Sequence, residues 1–175
     1  MKKLTLRELQ RLSVEEYKKE EKFPVIFVLD NIRSGLNVGA AFRTCDAFGF
    51  EGLHLCGICA RPPHKEVSKT AIGATQSVSW EYFESIEESI ESLLEDGYEI
   101  IGVEQTDQSI ALQNFEVDLN KKYALVFGNE VNGVSDSILS KLHHSIEIPQ
   151  FGTKHSFNVS VSMGIVGWHF RSKAL

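Results

Sequence analysis

The sequence predicts an α/β domain with a mostly parallel sheet flanked by helices. Short β-favouring apolar runs alternate with segments of helical periodicity, which is the pattern of consecutive strand–helix–strand units. The first such run, residues 25–29, is apolar throughout rather than alternating, as expected of a strand buried on both faces of a parallel sheet. The chain contains no internal repeat, low-complexity tract or interdomain linker.

The individual elements follow from their apolar patterns. Residues 4–21 predict a moderately amphipathic helix that Pro24 closes, and Val38, Ala41, Phe42 and Cys45 form one face of a helix ending near Gly49. Further strands are predicted at residues 53–56, 98–103, 123–127 and 145–148, and further helices at residues 86–95, 135–142 and 156–171. We divide the chain into an N-terminal helical extension, residues 1–22, and one domain, residues 23–175.

The composition is that of a globular protein, with 175 residues of which 42% are hydrophobic and 24% charged. No apolar run approaches the ~20 residues of a membrane-spanning helix. A charged N-terminal stretch and an odd count of three cysteines predict a cytoplasmic protein. The net charge of −6 depends on residues 81–99, which hold eight acidic and no basic residues; elsewhere 18 basic residues face 16 acidic ones. Charge therefore neither favours nor excludes a nucleic-acid partner.

The last predicted helix is apolar on two nearly opposite faces. Val159, Met163, Val166 and Phe170 form one stripe, and Phe157, Val161, Ile165 and Trp168 form the other. A helix with two apolar faces must be buried on both. One face can cover the sheet, and a partner subunit would cover the second, so we predict a homodimer through this helix. The alternative is a helix sandwiched within a single chain.

Three polar, glycine-containing segments directly follow predicted strands. They are residues 30–44, 127–134 and 148–160. In the first, Asn37 stands where a helix N-cap would be. Ligands of open α/β sheets bind outside the carboxyl ends of the strands, so these segments are the candidate site.

The same segments resemble the three motifs of the SpoU (TrmH-like) family of RNA ribose 2′-O-methyltransferases in the SPOUT superfamily. Motif 1 is carried by Asn37 and Arg43, motif 2 by Gly128-Asn129-Glu130 with Gly133, and motif 3 by Ile148-Pro149, Gly152 and Ser156–Ser160. Residues 69–74 also resemble a segment common between the first two motifs, and the resemblance covers residues 23–173. It implies a SpoU-type methyltransferase domain with a C-terminal deep trefoil knot, S-adenosylmethionine as cofactor, an RNA substrate (tRNA or rRNA), and a dimer.

The resemblance also implies roles for particular residues. The predicted catalytic residues are Arg43, Asn37, Glu130, Ser156 and Asn158. The predicted cofactor-binding residues are Phe127, Gly128, Asn129, Glu130, Gly133, Ile148, Gln150, Phe157 and Asn158. Gln150 stands where family members often have Met, and Phe157 where Leu is common. Arg33, Arg61, Lys65 and Lys69 are the predicted RNA contacts, the last three in a loop that contains prolines.

Methyl transfer to a ribose hydroxyl needs alignment and proton removal but no metal. A guanidinium does not normally lose its proton. We therefore expect Arg43 to bind the target phosphate bidentately and to ease proton transfer from the neighbouring 2′-hydroxyl. Asn37 and Asn158 would orient the ribose and Arg43, and Glu130 would order the motif 2 loop.

Other interpretations stay open for single residues and for the whole chain. Arg43 could pair with Asp46 on the helix surface, Glu130 could be a solvated turn carboxylate, and Ser156 could be an ordinary N-cap. Cys56 and Cys59 form one Cys-x-x-Cys without a second pair, so we expect structural thiols and no metal. Neither a dinucleotide-binding glycine motif nor a P-loop is present. The main rival is a non-catalytic RNA-binding module.

Overall fold

The computed structural model of the protein describes residues 1–5 and 8–175. Its centre is a seven-stranded sheet in the order β3-β2-β1-β6-β4-β7-β5, and every pair is parallel. The strands are β1 (Phe23–Asp30), β2 (Phe50–Cys56), β3 (Ser79–Phe83), β4 (Tyr98–Val103), β5 (Ile110–Ala111), β6 (Lys122–Phe127) and β7 (His144–Glu147). The α-helices are α1 (Val14–Lys19), α2 (Gly35–Phe48), α3 (Lys65–Ala71), α4 (Ala74–Ser77), α5 (Ile86–Glu95) and α6 (Val159–Ser172). The predicted mostly parallel α/β sheet is confirmed.

Both faces of the sheet are covered, which explains the continuous apolar run of β1. Alternate residues Val25, Phe27 and Leu29 join the core cluster that includes α2 and α6. The intervening Ile26 and Val28 join the cluster built around α5. Successive strand side chains point to opposite faces, so a central strand between two helical layers must be apolar at every position.

Some predicted helices differ from those observed. Of the helix predicted at residues 4–21, the described residues are helical over Val14–Lys19, and residues 6 and 7 lie outside the described residues. The observed start is a capping box in which the Ser13 side chain accepts from the Glu16 N–H and the Glu16 side chain accepts from the Ser13 N–H. Leu4 and Leu12 upstream are exposed, so these two leucines do not form a buried apolar face that would extend the helix. Residues 135–142 form a 3₁₀ helix, Asp136–Lys141, rather than an α-helix.

Part of the predicted proline-containing basic loop is a helix. Helix α3 begins after His64, one residue beyond the Pro62–Pro63 pair, and packs against α2. A Cβ on Gly39 would lie 2.1 Å from Thr70 Oγ1 and 2.3 Å from the Val67 carbonyl oxygen, so glycine permits this close approach. The Thr70 hydroxyl donates to the Leu36 carbonyl at 2.9 Å. The edge strand β3 was missed because its residues are half-exposed and lack a continuous apolar run.

Helix α6 has the two faces that its sequence predicts. Met163, Val166 and Phe170 are fully buried and Val159 nearly so. The second stripe is exposed, with relative accessibilities of 47% for Val161, 37% for Ile165 and 54% for Trp168. Phe157, the fourth predicted member of this stripe, is 42% exposed and precedes the helix. The chain itself therefore covers only one face, which contradicts the alternative of a helix sandwiched within one chain. In the part of the chain that the structure describes, no helix has the length and apolar character needed to cross a bilayer.

Candidate functional site

The motif 2 segment forms a tight loop at the carboxyl end of β6. Asn129 and Gly133 bond to each other in both directions, with N···O distances of 3.0 and 2.9 Å. The Asn129 side-chain oxygen accepts from the backbone N–H groups of Val131 and Asn132, at 2.7 and 3.0 Å. Gly133 has a φ of 68°, which glycine adopts without steric cost. A Cβ on Gly128 would lie 2.1 Å from the Gly133 carbonyl carbon. Both glycines are therefore required by the loop itself.

Carboxylates from two neighbouring strands hold this loop. Asp30, fully buried at the end of β1, accepts from the Ser135 N–H at 2.7 Å and from Asn31 Nδ2 at 2.8 Å. Glu104, directly after β4, accepts from the Val134 N–H at 3.0 Å. The Asn129 amide also donates to the Asn31 carbonyl at 3.3 Å. Buried backbone donors need such partners, so the loop is anchored from both sides.

Motifs 1 and 2 meet through a side-chain hydrogen bond. Asn37 Nδ2 donates to Glu130 Oε1 at 2.8 Å across 93 residues of sequence. The prediction that Asn37 is the N-cap is wrong, because the Ser34 hydroxyl accepts from the Asn37 N–H and caps α2. Asn37 instead lies in the first turn of the helix, where its nearly buried side chain faces the motif 2 loop.

The motif 3 segment runs from β7 to α6. The strand ends at Glu147 and the helix begins at Val159, later than the predicted residue 156. Asn158 is the N-cap of α6; its side-chain oxygen accepts from the Ser160 N–H at 2.9 Å and from the Ser160 hydroxyl at 2.6 Å. The Ser156 N-cap interpretation is therefore wrong. Residues 151–158 are all exposed.

A cavity of about 480 Å³ lies between these two motifs at the carboxyl ends of β4, β6 and β7. Its lining includes the predicted cofactor residues Phe127, Gly128, Asn129, Glu130, Gly133, Ile148, Gln150 and Phe157, together with the predicted catalytic residue Ser156. It does not include Asn37, Arg43 or Asn158. The volume falls within the roughly 300–1,000 Å³ of small-molecule sites.

Sequence reasoning missed the contribution of β4. Val103, Glu104 and Gln105 line the cavity, and Glu104 supports the motif 2 loop as described above. The signal was present, since the strand at residues 98–103 was predicted with its observed bounds and two polar residues follow it directly. What was absent from the sequence was the strand order, which places β4 between β6 and β7.

Arg43 lies on α2 outside this cavity. It is exposed and borders a second cavity together with Lys69, Thr70 and Gly164. Asp46, the residue with which Arg43 could have paired, accepts a hydrogen bond from the Ser77 hydroxyl. Among the described residues Arg43 forms no ion pair, which contradicts the alternative of a surface pair with Asp46.

Known proteins place this arrangement in a family. The profile of the SpoU rRNA Methylase family matches residues 24–168. The chain belongs to this family. A tRNA (guanosine(18)-2′-O)-methyltransferase from Aquifex aeolicus is 35% identical over 90% of this chain and 72% of that protein. A 23S rRNA (guanosine-2′-O-)-methyltransferase RlmB from Neisseria meningitidis is 34% identical over 82% of this chain and 56% of that protein. The AdoMet-bound rRNA methyltransferase structure from Sinorhizobium meliloti has a TM-score of 0.82 at 22% identity and covers 91% of this chain, which spans 60% of that one.

The resemblance to the SpoU family is thus confirmed, and with it the α/β architecture. The chain spans 72% of the Aquifex relative's length but only 56% of the Neisseria relative's.

The predicted RNA contacts of this SpoU protein are exposed cations. Arg33 follows β1, Arg61 precedes α3, and Lys65 and Lys69 lie on α3. The Arg61 guanidinium lies 3.9 Å from the ring centroid of Tyr82, and this stacking orients it. Lys69 borders the same cavity as Arg43, so these two cations share one surface.

The cysteines of this SpoU protein are buried free thiols. Cys59 Sγ accepts from the Ile32 N–H at 3.2 Å and donates to the Leu29 carbonyl at 3.3 Å, which ties it to the end of β1. Burial raises the pKa of Cys59 to about 11 and that of Cys56 to about 12, so neither is a thiolate at neutral pH. Within residues 1–5 and 8–175, no group of three or more potential ligands is placed to hold a metal ion.

Proposed function

We propose that this chain is an S-adenosylmethionine-dependent RNA methyltransferase that modifies a ribose 2′-hydroxyl of tRNA or rRNA. The observation that carries the proposal is the cavity where motifs 2 and 3 meet, joined to motif 1 by the Asn37–Glu130 hydrogen bond. The names of the Aquifex and Neisseria relatives, both 2′-O-methyltransferases, support it.

The residues of the cavity fit S-adenosylmethionine. Ile146, Ile148 and Phe127 offer apolar surface to an adenine ring, and the Glu104 carboxylate offers an acceptor for hydroxyl and amino groups. Gly128 lines the cavity, and a Cβ at this position would clash with the backbone of the motif 2 loop. Because glycine has no side chain, the backbone groups of motif 2 are accessible to a ligand in the cavity. When bound, S-adenosylmethionine supplies an electrophilic methyl group on a sulfonium sulfur. Motifs 2 and 3 would hold it.

Arg43 is assigned to the RNA rather than to the donor. Its exposed guanidinium lies outside the donor cavity and borders a surface shared with Lys69. In this role it binds the phosphate beside the target ribose through paired N–H donors, which stabilises the charge that develops as the 2′-hydroxyl loses its proton. A guanidinium has no lone pair that could accept the proton, so the acceptor is a phosphate oxygen or an Arg43 side chain that the phosphate has transiently deprotonated.

The remaining motif residues position the loops around the reacting groups. Glu130, held by Asn37, orders the motif 2 loop. Asn158 orients the start of α6 through its N-cap bond to Ser160, and its exposed amide is left to bind the ribose. Ser156 lines the donor cavity. Arg33, Arg61 and Lys65 extend the RNA surface beyond Arg43 and Lys69.

The functional unit is a homodimer through α6. Val161, Ile165 and Trp168 are exposed apolar residues on the face that the chain does not cover. A Cβ on Gly164, in the same face, would have no atom of the described residues within 4 Å, so no contact among those residues requires glycine there. Gly164 also borders the Arg43 cavity. A second copy seated on α6 would therefore bring its residues beside Arg43.

Light scattering after size exclusion tests the dimer. Trp168→Glu should convert a dimer to a monomer, because it places a charge in the apolar face. Ile58→Glu, at another exposed apolar residue, should leave the dimer intact. A wild-type protein that is monomeric at micromolar concentration would contradict the proposal.

We further propose the C-terminal deep trefoil knot, the division at residue 22, and a cytoplasmic location. The passage of the chain from β7, beside β4, to α6, which packs against α2, supports the knot. The family match, beginning at residue 24, supports the division.

The test of activity is transfer of labelled methyl from S-adenosylmethionine to total cellular RNA. A 2′-O-methyl group blocks alkaline cleavage of its own linkage, so the label should remain in alkali-resistant dinucleotides, and its size class identifies tRNA or rRNA. Arg43→Ala should abolish transfer while donor binding is retained. Lys122→Ala, at an exposed cation at the amino end of the central strand β6, is the control. Donor binding without transfer to any RNA would favour the non-catalytic RNA-binding alternative.

A further inference from the structure

Two glutamine side chains converge on one backbone carbonyl at the edge of the donor cavity. Gln105 Nε2 donates to the His155 oxygen at 3.0 Å, and Gln150 Nε2 donates to the same oxygen at 3.2 Å. Gln105 comes from the loop after β4 and Gln150 from the segment after β7. Both side chains line the cavity together with His155, Ser156 and Phe157.

These two hydrogen bonds attach residues 151–157, an exposed segment, to the rest of the chain. Across the described ranges, no other hydrogen bond joins residues 151–157 to the rest of the chain. Phe151 is 98% exposed, so apolar packing of this side chain does not hold the start of the segment. The position of residues 151–157 relative to the cavity therefore depends on the His155 carbonyl.

Fixing this carbonyl also fixes the peptide that follows it. The peptide group is planar, and in its trans form the N–H points opposite to the C=O. With two amides on the His155 oxygen, both of its lone pairs are used, and the plane of the 155–156 peptide is set. The orientation of this peptide plane sets where Ser156 and Phe157, which follow it and line the cavity, are placed.

We propose that Gln105 and Gln150 are positioning residues that latch the motif 3 segment at the donor cavity and thereby determine the affinity for the donor. The inference rests on the proposed function. At residue 150 a methionine, common in the family, has no N–H to donate, so the second bond of the latch depends on a residue in which this chain departs from that pattern. RNA affinity does not depend on the latch, since neither glutamine borders the Arg43 surface.

Isothermal titration of the full-length protein with S-adenosylmethionine, without RNA, tests the latch. The variants are Gln105→Leu, Gln150→Met and the double variant, with Gln108→Leu as the control in the same loop. Gln108 is exposed, and its side chain forms no hydrogen bond within the described part of the chain. Each single variant should raise the donor Kd about 2- to 10-fold, the equivalent of one net hydrogen bond. The double variant should raise the Kd for S-adenosylmethionine more than either single variant, because neither glutamine amide then donates to the His155 carbonyl oxygen.

Two further measurements distinguish positioning from a general structural role. In methyl transfer, the KM for the donor should rise while the KM for RNA and the kcat at saturating donor stay as in the wild type. Trypsin cleavage after Lys154, an exposed residue in the segment, should be slowed by the donor in the wild type and much less in the double variant.

Unchanged donor affinity in the double variant would overturn the inference. A parallel loss of donor affinity, RNA affinity and thermal stability would also overturn it, because the glutamines would then be general structural residues. If the wild type itself does not bind the donor, the proposed function fails, and the latch fails with it.

Discussion

Replacing Asp30 with Asn should weaken both the fold and the motif 2 loop. Asp30 is fully buried and uses one carboxylate oxygen for the Ser135 N–H and the other for Asn31 Nδ2. An asparagine offers only one oxygen, and its amide group is a donor. In either orientation, one partner donor would face another donor at the distance of a hydrogen bond.

The neighbouring groups cannot easily adapt to this change. The Ser135 donor belongs to the backbone and cannot rotate. The Asn31 amide cannot turn over freely, because its oxygen accepts from the Ile58 N–H at 3.2 Å. Losing a hydrogen bond to a charged acceptor costs about 1.5–3 kcal/mol, and leaving a buried donor unpaired costs about 1–3 kcal/mol. Because these contributions overlap, we expect the free energy of unfolding to fall by about 2–4 kcal/mol.

Urea denaturation and donor titration of the same preparations provide the assay. Asp30→Asn should lower the free energy of unfolding by that amount and also raise the Kd for S-adenosylmethionine, because Ser135 adjoins the loop that lines the cavity. Asp107→Asn, the same change at an exposed residue, should alter neither value. A loss of stability below about 1 kcal/mol, with an unchanged Kd, would refute the reasoning, since a single hydrogen bond already contributes that much.

Two further predictions concern the donor loop and the response to acid. Gly128→Ala should raise the donor Kd, measured by titration calorimetry, about tenfold or more, because the new methyl group would lie 2.2 Å from the Val134 nitrogen. Gly152→Ala, whose Cβ would have no atom of the described residues within 4 Å, should leave the Kd unchanged. Equal effects of the two substitutions would contradict this prediction. Burial lowers the pKa of His54 from 6.5 to about 4, and its ring nitrogen lies 2.9 Å from the Ser89 hydroxyl. Below pH 6.5 the unfolded chain binds a proton that the folded chain does not, so stability falls as the pH falls towards 4 and His54 alone accounts for about 2 kcal/mol at pH 5. His54→Gln should reduce the loss of stability between pH 7.5 and pH 5 in urea denaturation, whereas His64→Gln, at an exposed histidine, should not; an identical pH dependence in both variants would argue against this role of His54.

The elements that the sequence predicted well are those whose environment leaves a local pattern. The strand Tyr98–Val103 and the helix Ile86–Glu95 have the predicted bounds, because burial on two faces or on one imposes a short-range periodicity. The 3₁₀ helix Asp136–Lys141 was predicted as an α-helix, and the edge strand β3 was missed. Both are short, and their residues are partly exposed, so their apolar pattern is weak.

The sequence by itself determined the fold class, the family motifs and the two apolar faces of α6. Each depends on residue types at fixed short spacings, which do not change when the chain folds. The tertiary structure decided which of these residues share a site. It joined Asn37 to Glu130 across 93 residues, brought Glu104 and Gln105, which follow β4, into the donor cavity, and left Arg43 on a separate surface beside Lys69. Strand order and helix packing arise from contacts between distant residues, and a local pattern carries no record of which distant residues meet.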